Sequence, residues 1–132
     1  MPHQKVAFVA GAMGGMGAAI CQSLARDGLR VIAGCAPRFR FKDEWLATQR
    51  ALGFDFISEE HELTDNAKLQ PMLDRIQREI GPVEVLVNNA EMTRFQNLSC
   101  LASGACTRVI SIEPHEGAYR TRVWYPGETL RH

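Results

Sequence analysis

The fold of this chain is decided by residues 6–17, which read VAFVAGAMGGMG. The apolar first half is typical of a buried strand, and the glycine-rich second half leads directly into the amphipathic residues 18–25. A strand, a glycine turn and a helix in this order place backbone N–H groups and a helix N-terminus where they can bind a pyrophosphate. A glycine-rich turn without a ligand is the alternative, because loops are rich in glycine for many reasons.

Size and composition narrow the function classes. The chain has 132 residues, enough for one domain with a hydrophobic core, and its net charge of zero indicates neither nucleic acid nor an anionic membrane as a partner. We find no apolar run of the roughly 18 residues that span a membrane, and no signal-peptide pattern. The four cysteines (Cys21, Cys35, Cys100 and Cys106) form no C-x-x-C pair, which favours reduced thiols over a metal site. We therefore predict a cytoplasmic protein.

Strand-like and helix-like segments alternate up to about residue 90. Strands are expected at residues 5–10, 30–34, 54–57 and 83–87. Short connections through helices favour an α/β fold, a partial Rossmann fold with a doubly wound parallel sheet of strand order 3-2-1-4. Pro71 lies inside the pattern of the third helix, and it should either delay the helix start to about Gln70 or kink the first turn.

The pattern weakens after residue 94. We therefore divide the chain into the dinucleotide-binding half of a Rossmann domain, residues 1–94, and a diverged, weakly helical C-terminal tail, residues 95–132. With this strand order the fourth strand would be an apolar edge with unpaired backbone groups. Such an edge tends to aggregate, to recruit another chain or to be covered, and the segment from Leu98 onward is a candidate for the cover.

Two motifs resemble the short-chain dehydrogenase/reductase family, namely G-x-x-x-G-x-G at residues 11–17 and Asn-Asn-Ala at residues 88–90. Within that family, residues 34–37 and 51–56 are similar to the NADPH-dependent acetoacetyl-CoA reductases of polyhydroxybutyrate synthesis. The resemblance is strong over residues 1–94. It implies an oxidoreductase that uses NADP and reduces 3-oxoacyl thioesters, converting acetoacetyl-CoA to 3-hydroxybutyryl-CoA.

The resemblance implies cofactor contacts at the glycine turn, at the basic loop after the second strand, and after the third and fourth strands. The residues concerned are Gly11, Gly14, Gly15, Met16, Gly17, Arg38, Arg40, Lys42, Glu62, Leu63, Asn89 and Ala90. Gly34-Cys35 stands where an NAD enzyme carries an acidic residue for the ribose 2′-hydroxyl, and the basic residues beyond it suit a 2′-phosphate. A loop that is merely solvated and basic is the alternative. We expect NADP rather than NAD.

The residues that catalyse the family's reaction are missing from this sequence. The family uses a serine and a Tyr-x-x-x-Lys motif to polarise and protonate the carbonyl oxygen. Here Tyr119 is followed four residues later by Val123, and Tyr125 by Thr129, while the last lysine is Lys68. We therefore assign no catalytic and no metal-binding residue. We expect the 132-residue chain to be inactive as an enzyme by itself.

Three interpretations remain open. The chain is a truncated short-chain reductase, whose acyl-CoA substrate would bind only in a complete enzyme. Alternatively, it is a non-catalytic module that binds NADP, self-associates or pairs with a full-length reductase. The third interpretation is a decayed gene product, which is favoured by departures after Ala90 such as Glu91 in place of the family's glycine. A negative charge at that position should weaken binding of a polyanionic cofactor.

Overall fold

The computed structural model describes residues 4–61, 66–88 and 108–124. Its strands are β1 (Val6–Ala10), β2 (Arg30–Cys35), β3 (Ile57–Glu60), β4 (Val83–Asn88), β5 (Arg108–His115) and β6 (Ala118–Trp124). The helices that connect the first four strands are α1 (Gly15–Arg26), α2 (Lys42–Ala51) and α3 (Asn66–Glu79). None of the described helices is both long and apolar enough to cross a membrane.

The described strands form one sheet with the order β3-β2-β1-β4-β5-β6. The strands β1 to β5 are parallel, and β6 pairs antiparallel with β5. The predicted order 3-2-1-4 is therefore confirmed. All five residues of β1 are buried, because β1 lies between β2 and β4 and is covered on both faces, as its continuous apolar sequence requires.

The core consists of two layers, one on each face of the sheet. Successive strand residues point to opposite faces. On one face, Phe8 and Leu86 pack with Ile76 of α3, and all three are fully buried. On the other face, Val9 packs in a cluster that includes Cys21 of α1, with partly buried side chains of α2 at its border. Helices on both faces make the sheet doubly wound.

The third strand begins later than the sequence predicts. The expected strand at residues 54–57 overlaps β3 only at Ile57. Phe54 and Phe56 form an aromatic stack with Trp45 of α2 instead, with ring centroids 5.6 Å apart for the two phenylalanines and 5.7 Å apart for Phe56 and Trp45. Alternating aromatic residues are typical of a strand, but here the stacking with α2 uses them before the strand begins.

Pro71 does not delay the third helix. The helix α3 begins at Asn66, so the predicted start near Gln70 is wrong and the proline lies inside the helix. Pro71 is exposed, so its ring takes no space in the core, although it removes one N–H donor from the helix.

The tail is a hairpin over the residues described, which corrects the prediction of a weakly helical segment there. Val109, Ile110 and Ile112 belong to the tail that was expected to be weakly helical, and they lie on β5. The two-residue turn that joins β5 to β6 has φ values of 50° at Glu116 and 80° at Gly117. Positive φ at both positions is the geometry that favours a tight hairpin, and β-branched residues favour its strands.

The hairpin also covers the apolar edge of β4. Residues Arg108 to Ser111 pair with Val85 to Asn88 in parallel. The prediction that a segment after Leu98 covers this edge is confirmed, and the edge that suggested pairing with another chain is occupied. The boundary between the two predicted parts, near residue 94, lies outside the described residues and stays a prediction.

Replacing Ile76 by alanine tests the packing of α3. The Ile76 side chain is fully buried between α3 and the sheet. We expect Ile76→Ala to lower the free energy of unfolding by about 2–5 kcal/mol, because it removes buried methyl groups and leaves a cavity. Urea denaturation followed by circular dichroism measures the change. The neighbouring exposed Gln77 supplies the control, since Gln77→Ala should stay within about 0.5 kcal/mol of the parent. Equal effects of the two substitutions would contradict this packing.

Candidate functional site

The candidate residues lie at the carboxyl edge of the parallel sheet. Ala10 at the end of β1 is in register with Asn88 at the end of β4, and Val9 is in register with Ala33 of β2. The strand order reverses between β1 and β4, because β2 and β3 lie on one side of β1 while β4 and β5 lie on the other, and ligands of doubly wound folds bind in the crevice at such a reversal. The topology therefore places the glycine turn and the basic loop beside a single crevice.

The turn after β1 is tied to β2 by its backbone. Gly11 has a φ of 69°, in the left-handed region that glycine adopts without strain. The N–H of Ala12 donates to the carbonyl of Gly34 at 2.9 Å, and the N–H of Gly14 donates to the carbonyl of Ala12 at 3.0 Å. A Cβ at Gly34 would overlap the imidazole of His61, so this strand end is tightly packed as well.

The glycines of the turn have two different roles. Gly17 is buried, and a Cβ at this position would overlap the backbone of Ala12, so α1 packs directly on the turn. Gly14 and Gly15 are exposed, and a Cβ at either would meet no atom within 4 Å. Gly17 therefore brings the helix close, while the other two leave open space in front of its N-terminus.

The N-terminus of α1 is suited to an anion. Gly14 is the N-cap and offers no side chain to the helix, and the first turn contains no acidic residue. The N–H of Ala18 bonds the Gly14 carbonyl at 2.9 Å, whereas the N–H groups of the residues before it, Gly15, Met16 and Gly17, have no acceptor within a regular helix. Such N–H groups and the helix dipole together favour a negatively charged group at this position.

The basic loop after β2 is held by one carboxylate of β3. The Arg38 N–H donates to Oε1 of Glu60 at 2.6 Å, and Nζ of Lys42 lies 3.0 Å from Oε2. This contact raises the pKa of Lys42, and the Lys42 ammonium together with the Arg38 N–H lowers the pKa of Glu60. Arg40 lies over the Phe41 ring at 5.2 Å from its centroid. The loop and the first residue of α2 thus carry three exposed or half-exposed basic side chains, of which Lys42 is ion-paired.

The end of β2 carries no acidic group of its own. Gly34 and Cys35 are both buried at this end. Burial raises the pKa of the Cys35 thiol, and the charge of Glu60 raises it further. In the core, burial raises the pKa of Cys21 to about 12. Both thiols are therefore protonated and unreactive at neutral pH. Among residues 4–61, 66–88 and 108–124, no group of three His, Cys, Asp or Glu could hold a metal ion.

The predicted residues of the turn follow β1 and those of the basic loop follow β2, two strand ends that the Ala12–Gly34 hydrogen bond joins, while the other four lie outside the described residues. Those four are Glu62, Leu63, Asn89 and Ala90. Their neighbours end at the same edge, since the His61 N–H donates to the Cys35 carbonyl at 3.0 Å and Asn88 ends β4 beside β1. Sequence reasoning missed Glu60. The signal available was an acidic residue just before the predicted contacts after the third strand.

Comparisons with known proteins agree with this geometry. Residues 5–115 match the family model described as short chain dehydrogenase. An acetoacetyl-CoA reductase of Cupriavidus necator is 50% identical over 91 residues, which cover 69% of this chain and 37% of that relative. Among solved structures, a 2-keto-3-deoxy-D-gluconate dehydrogenase from Streptococcus agalactiae has a TM-score of 0.62 at 27% identity, over 70% of this chain and 34% of that chain.

A variant of actinorhodin polyketide ketoreductase, solved with NADPH, is also similar. It has a TM-score of 0.58 at 28% identity, over 67% of this chain and 33% of that chain. The chain thus matches about a third of the length of these relatives, between 33% and 37%.

Alanine substitutions at Gly17 and Gly15 separate the two roles of the turn glycines. We expect Gly17→Ala to lower the free energy of unfolding by about 1–3 kcal/mol or more, because the new Cβ would overlap backbone atoms that cannot move aside easily. The Gly15→Ala variant is the matched control, and in open space it should change stability by about 1 kcal/mol or less. Urea and thermal unfolding measure both. Equal stability of the two variants would show that α1 does not pack on the turn.

Proposed function

The chain belongs to the short-chain dehydrogenase family, and we propose that it binds NADP(H) at the carboxyl edge of its sheet as the nucleotide-binding part of a 3-oxoacyl thioester reductase. The observation that carries this proposal is the open N-terminus of α1, with bare space in front of Gly14 and Gly15. A diphosphate placed there would accept hydrogen bonds from backbone N–H groups that are already oriented, so little ordering is needed on binding.

The end of β2 supports NADP over NAD. An acidic residue at this strand end binds the ribose 2′-hydroxyl of NAD, and this position holds Gly34 and Cys35 instead. The basic residues Arg38, Arg40 and Lys42 follow on the same loop, and guanidinium groups in particular match the geometry of a phosphate. The similarity to an acetoacetyl-CoA reductase and to a ketoreductase solved with NADPH supports the same choice.

The proposed reaction is the reduction of a 3-oxoacyl thioester to the 3-hydroxyacyl thioester, with acetoacetyl-CoA as the proposed substrate. Bound NADPH would supply the hydride to the carbonyl carbon. The carbonyl oxygen must receive a proton at the same time, and the family obtains it from a tyrosine whose pKa a lysine lowers. Tyr119 and Tyr125 lack a lysine four residues later. We therefore propose that the 132-residue chain binds the cofactor but does not reduce a substrate by itself. We propose the cytoplasm as its location.

A charge at Gly15 tests the nucleotide site. We expect Gly15→Asp to raise the NADPH dissociation constant by about tenfold or more, because the carboxylate occupies the open N-terminus and repels the diphosphate. Gly15→Asn has nearly the same shape without the charge, so it should bind NADPH more tightly than Gly15→Asp. Isothermal titration calorimetry measures both. An acidic residue in the first helical turn stabilises a helix, so we expect Gly15→Asp to keep its melting temperature, which thermal unfolding checks. Equal affinities of the two variants would contradict a phosphate at α1.

The absence of the family's proton donor predicts binding without turnover. We expect the purified chain to bind NADPH in calorimetry and to cause no loss of NADPH absorbance with acetoacetyl-CoA above the rate without protein. The binding measurement on the same sample is the control for folded, active protein. Reduction of acetoacetyl-CoA that depends on both the protein and NADPH would contradict the prediction. It would require another proton donor within this chain.

A further inference from the structure

Glu60 occupies two hydrogen-bond donors of the basic region after β2, a backbone N–H and an ammonium group. Its Oε1 accepts the Arg38 N–H at 2.6 Å, and its Oε2 contacts Nζ of Lys42 at 3.0 Å. We propose that Glu60 is a specificity-determining residue, which competes with the cofactor 2′-phosphate for this loop and so narrows the preference for NADPH over NADH. This inference rests on the proposed function, because it concerns the same nucleotide site.

The position of Glu60 in the sheet places it beside the cofactor-selecting end of β2. Glu60 is in register with Cys35, the last residue of β2. Strand residues alternate between faces, and the neighbouring Glu59 contacts Arg75 of α3, whereas Glu60 contacts Lys42 of α2 on the other face. The acidic group that an NAD enzyme carries at the end of β2 is thus supplied here by the adjacent strand.

The backbone around Arg38 orients its N–H toward this carboxylate. Arg38 has a φ of 60°, a left-handed conformation that is uncommon for a residue with a Cβ. Together, the Arg38 N–H and the Lys42 ammonium form a small anion-binding concavity in which Glu60 is the anion. A phosphate and a carboxylate use the same donors, so only one of them can make these contacts fully.

Electrostatics gives the direction of the effect. The Lys42 contact lowers the pKa of Glu60 and raises that of Lys42, so both groups are charged at neutral pH. A 2′-phosphate carries about two negative charges, so it must displace Glu60 from Lys42 or lie beside a like charge. The 2′-hydroxyl of NADH is neutral and can donate to a carboxylate. Glu60 therefore disfavours NADPH and leaves NADH unaffected or favoured.

The test compares Glu60→Gln with Glu59→Gln, which makes the same change of charge on the opposite face of β3. Calorimetry measures the dissociation constants of NADPH and NADH for each variant and for the parent. We expect Glu60→Gln to increase the ratio of the NADH constant to the NADPH constant by about five- to tenfold. The Glu59→Gln variant should keep this ratio within about twofold, because that carboxylate binds Arg75 away from the loop.

A double-mutant cycle with Lys42→Met adds a readout specific to the ion pair. In the parent, Lys42 is partly neutralised by Glu60, so its removal should weaken NADPH binding by about twofold or less. In the Glu60→Gln background the ammonium is released, and its removal should weaken NADPH binding by about five- to tenfold. If the effects of the two substitutions on the free energy of NADPH binding were additive, the proposal that Glu60 competes with the 2′-phosphate would be overturned.

The outcomes separate this inference from the proposed function. If the parent binds NADPH and Glu60→Gln leaves the ratio unchanged, or shifts it toward NADH, the inference is overturned while the nucleotide site stands. If Glu60→Gln weakens both cofactors equally and lowers the melting temperature, Glu60 only holds the loop in place, and the inference is again overturned. If the parent binds neither dinucleotide, the proposed function fails and the selectivity role fails with it.

Discussion

The close approach of α1 to the turn at Ala12 determines how the rest of the site is arranged. A Cβ at Gly17 would overlap the Ala12 backbone, so the first turn of α1 packs directly against the turn that follows β1. The Ala12 N–H bonds the Gly34 carbonyl, which extends the same constraint to β2. The open N–H groups of α1 therefore face the edge at which β1 and β2 end.

The charges of the site follow two different physical rules. At the N-terminus of α1 the positive potential comes from backbone dipoles, and no side chain neutralises it in the first turn. At the basic loop the positive charge comes from side chains, and Lys42 is paired with Glu60. A backbone site is ready for a phosphate, whereas a side-chain site with its own carboxylate must exchange one anion for another. In the function that we propose, the first would support cofactor affinity and the second cofactor choice.

Local sequence patterns correctly predicted the central strands of the sheet, which have a neighbouring strand on each side. The strands β1, β2 and β4 and their order followed from continuous apolar runs separated by helical segments, because a parallel strand buried on both faces requires such a run. The predicted start of β3 was wrong, because Phe54 and Phe56 stack with Trp45 of α2 instead of joining the sheet. The prediction of a helical tail was wrong for residues 108–124, because β5 is stabilised by pairing with β4, which lies about twenty residues earlier in the chain. Periodicity in a short segment does not reveal such a partner.

The sequence by itself determined the class of fold and the position of the glycine turn, because glycine spacing and apolar runs act through backbone sterics and burial within a few residues. Only the tertiary structure decided what surrounds that turn. Glu60 and Lys42 are 18 residues apart and meet only because β3 is placed beside β2. The hairpin of β5 and β6 likewise exists because β4 offered unpaired backbone groups. Contacts of this kind depend on strand register and helix placement, which no local pattern of residues specifies.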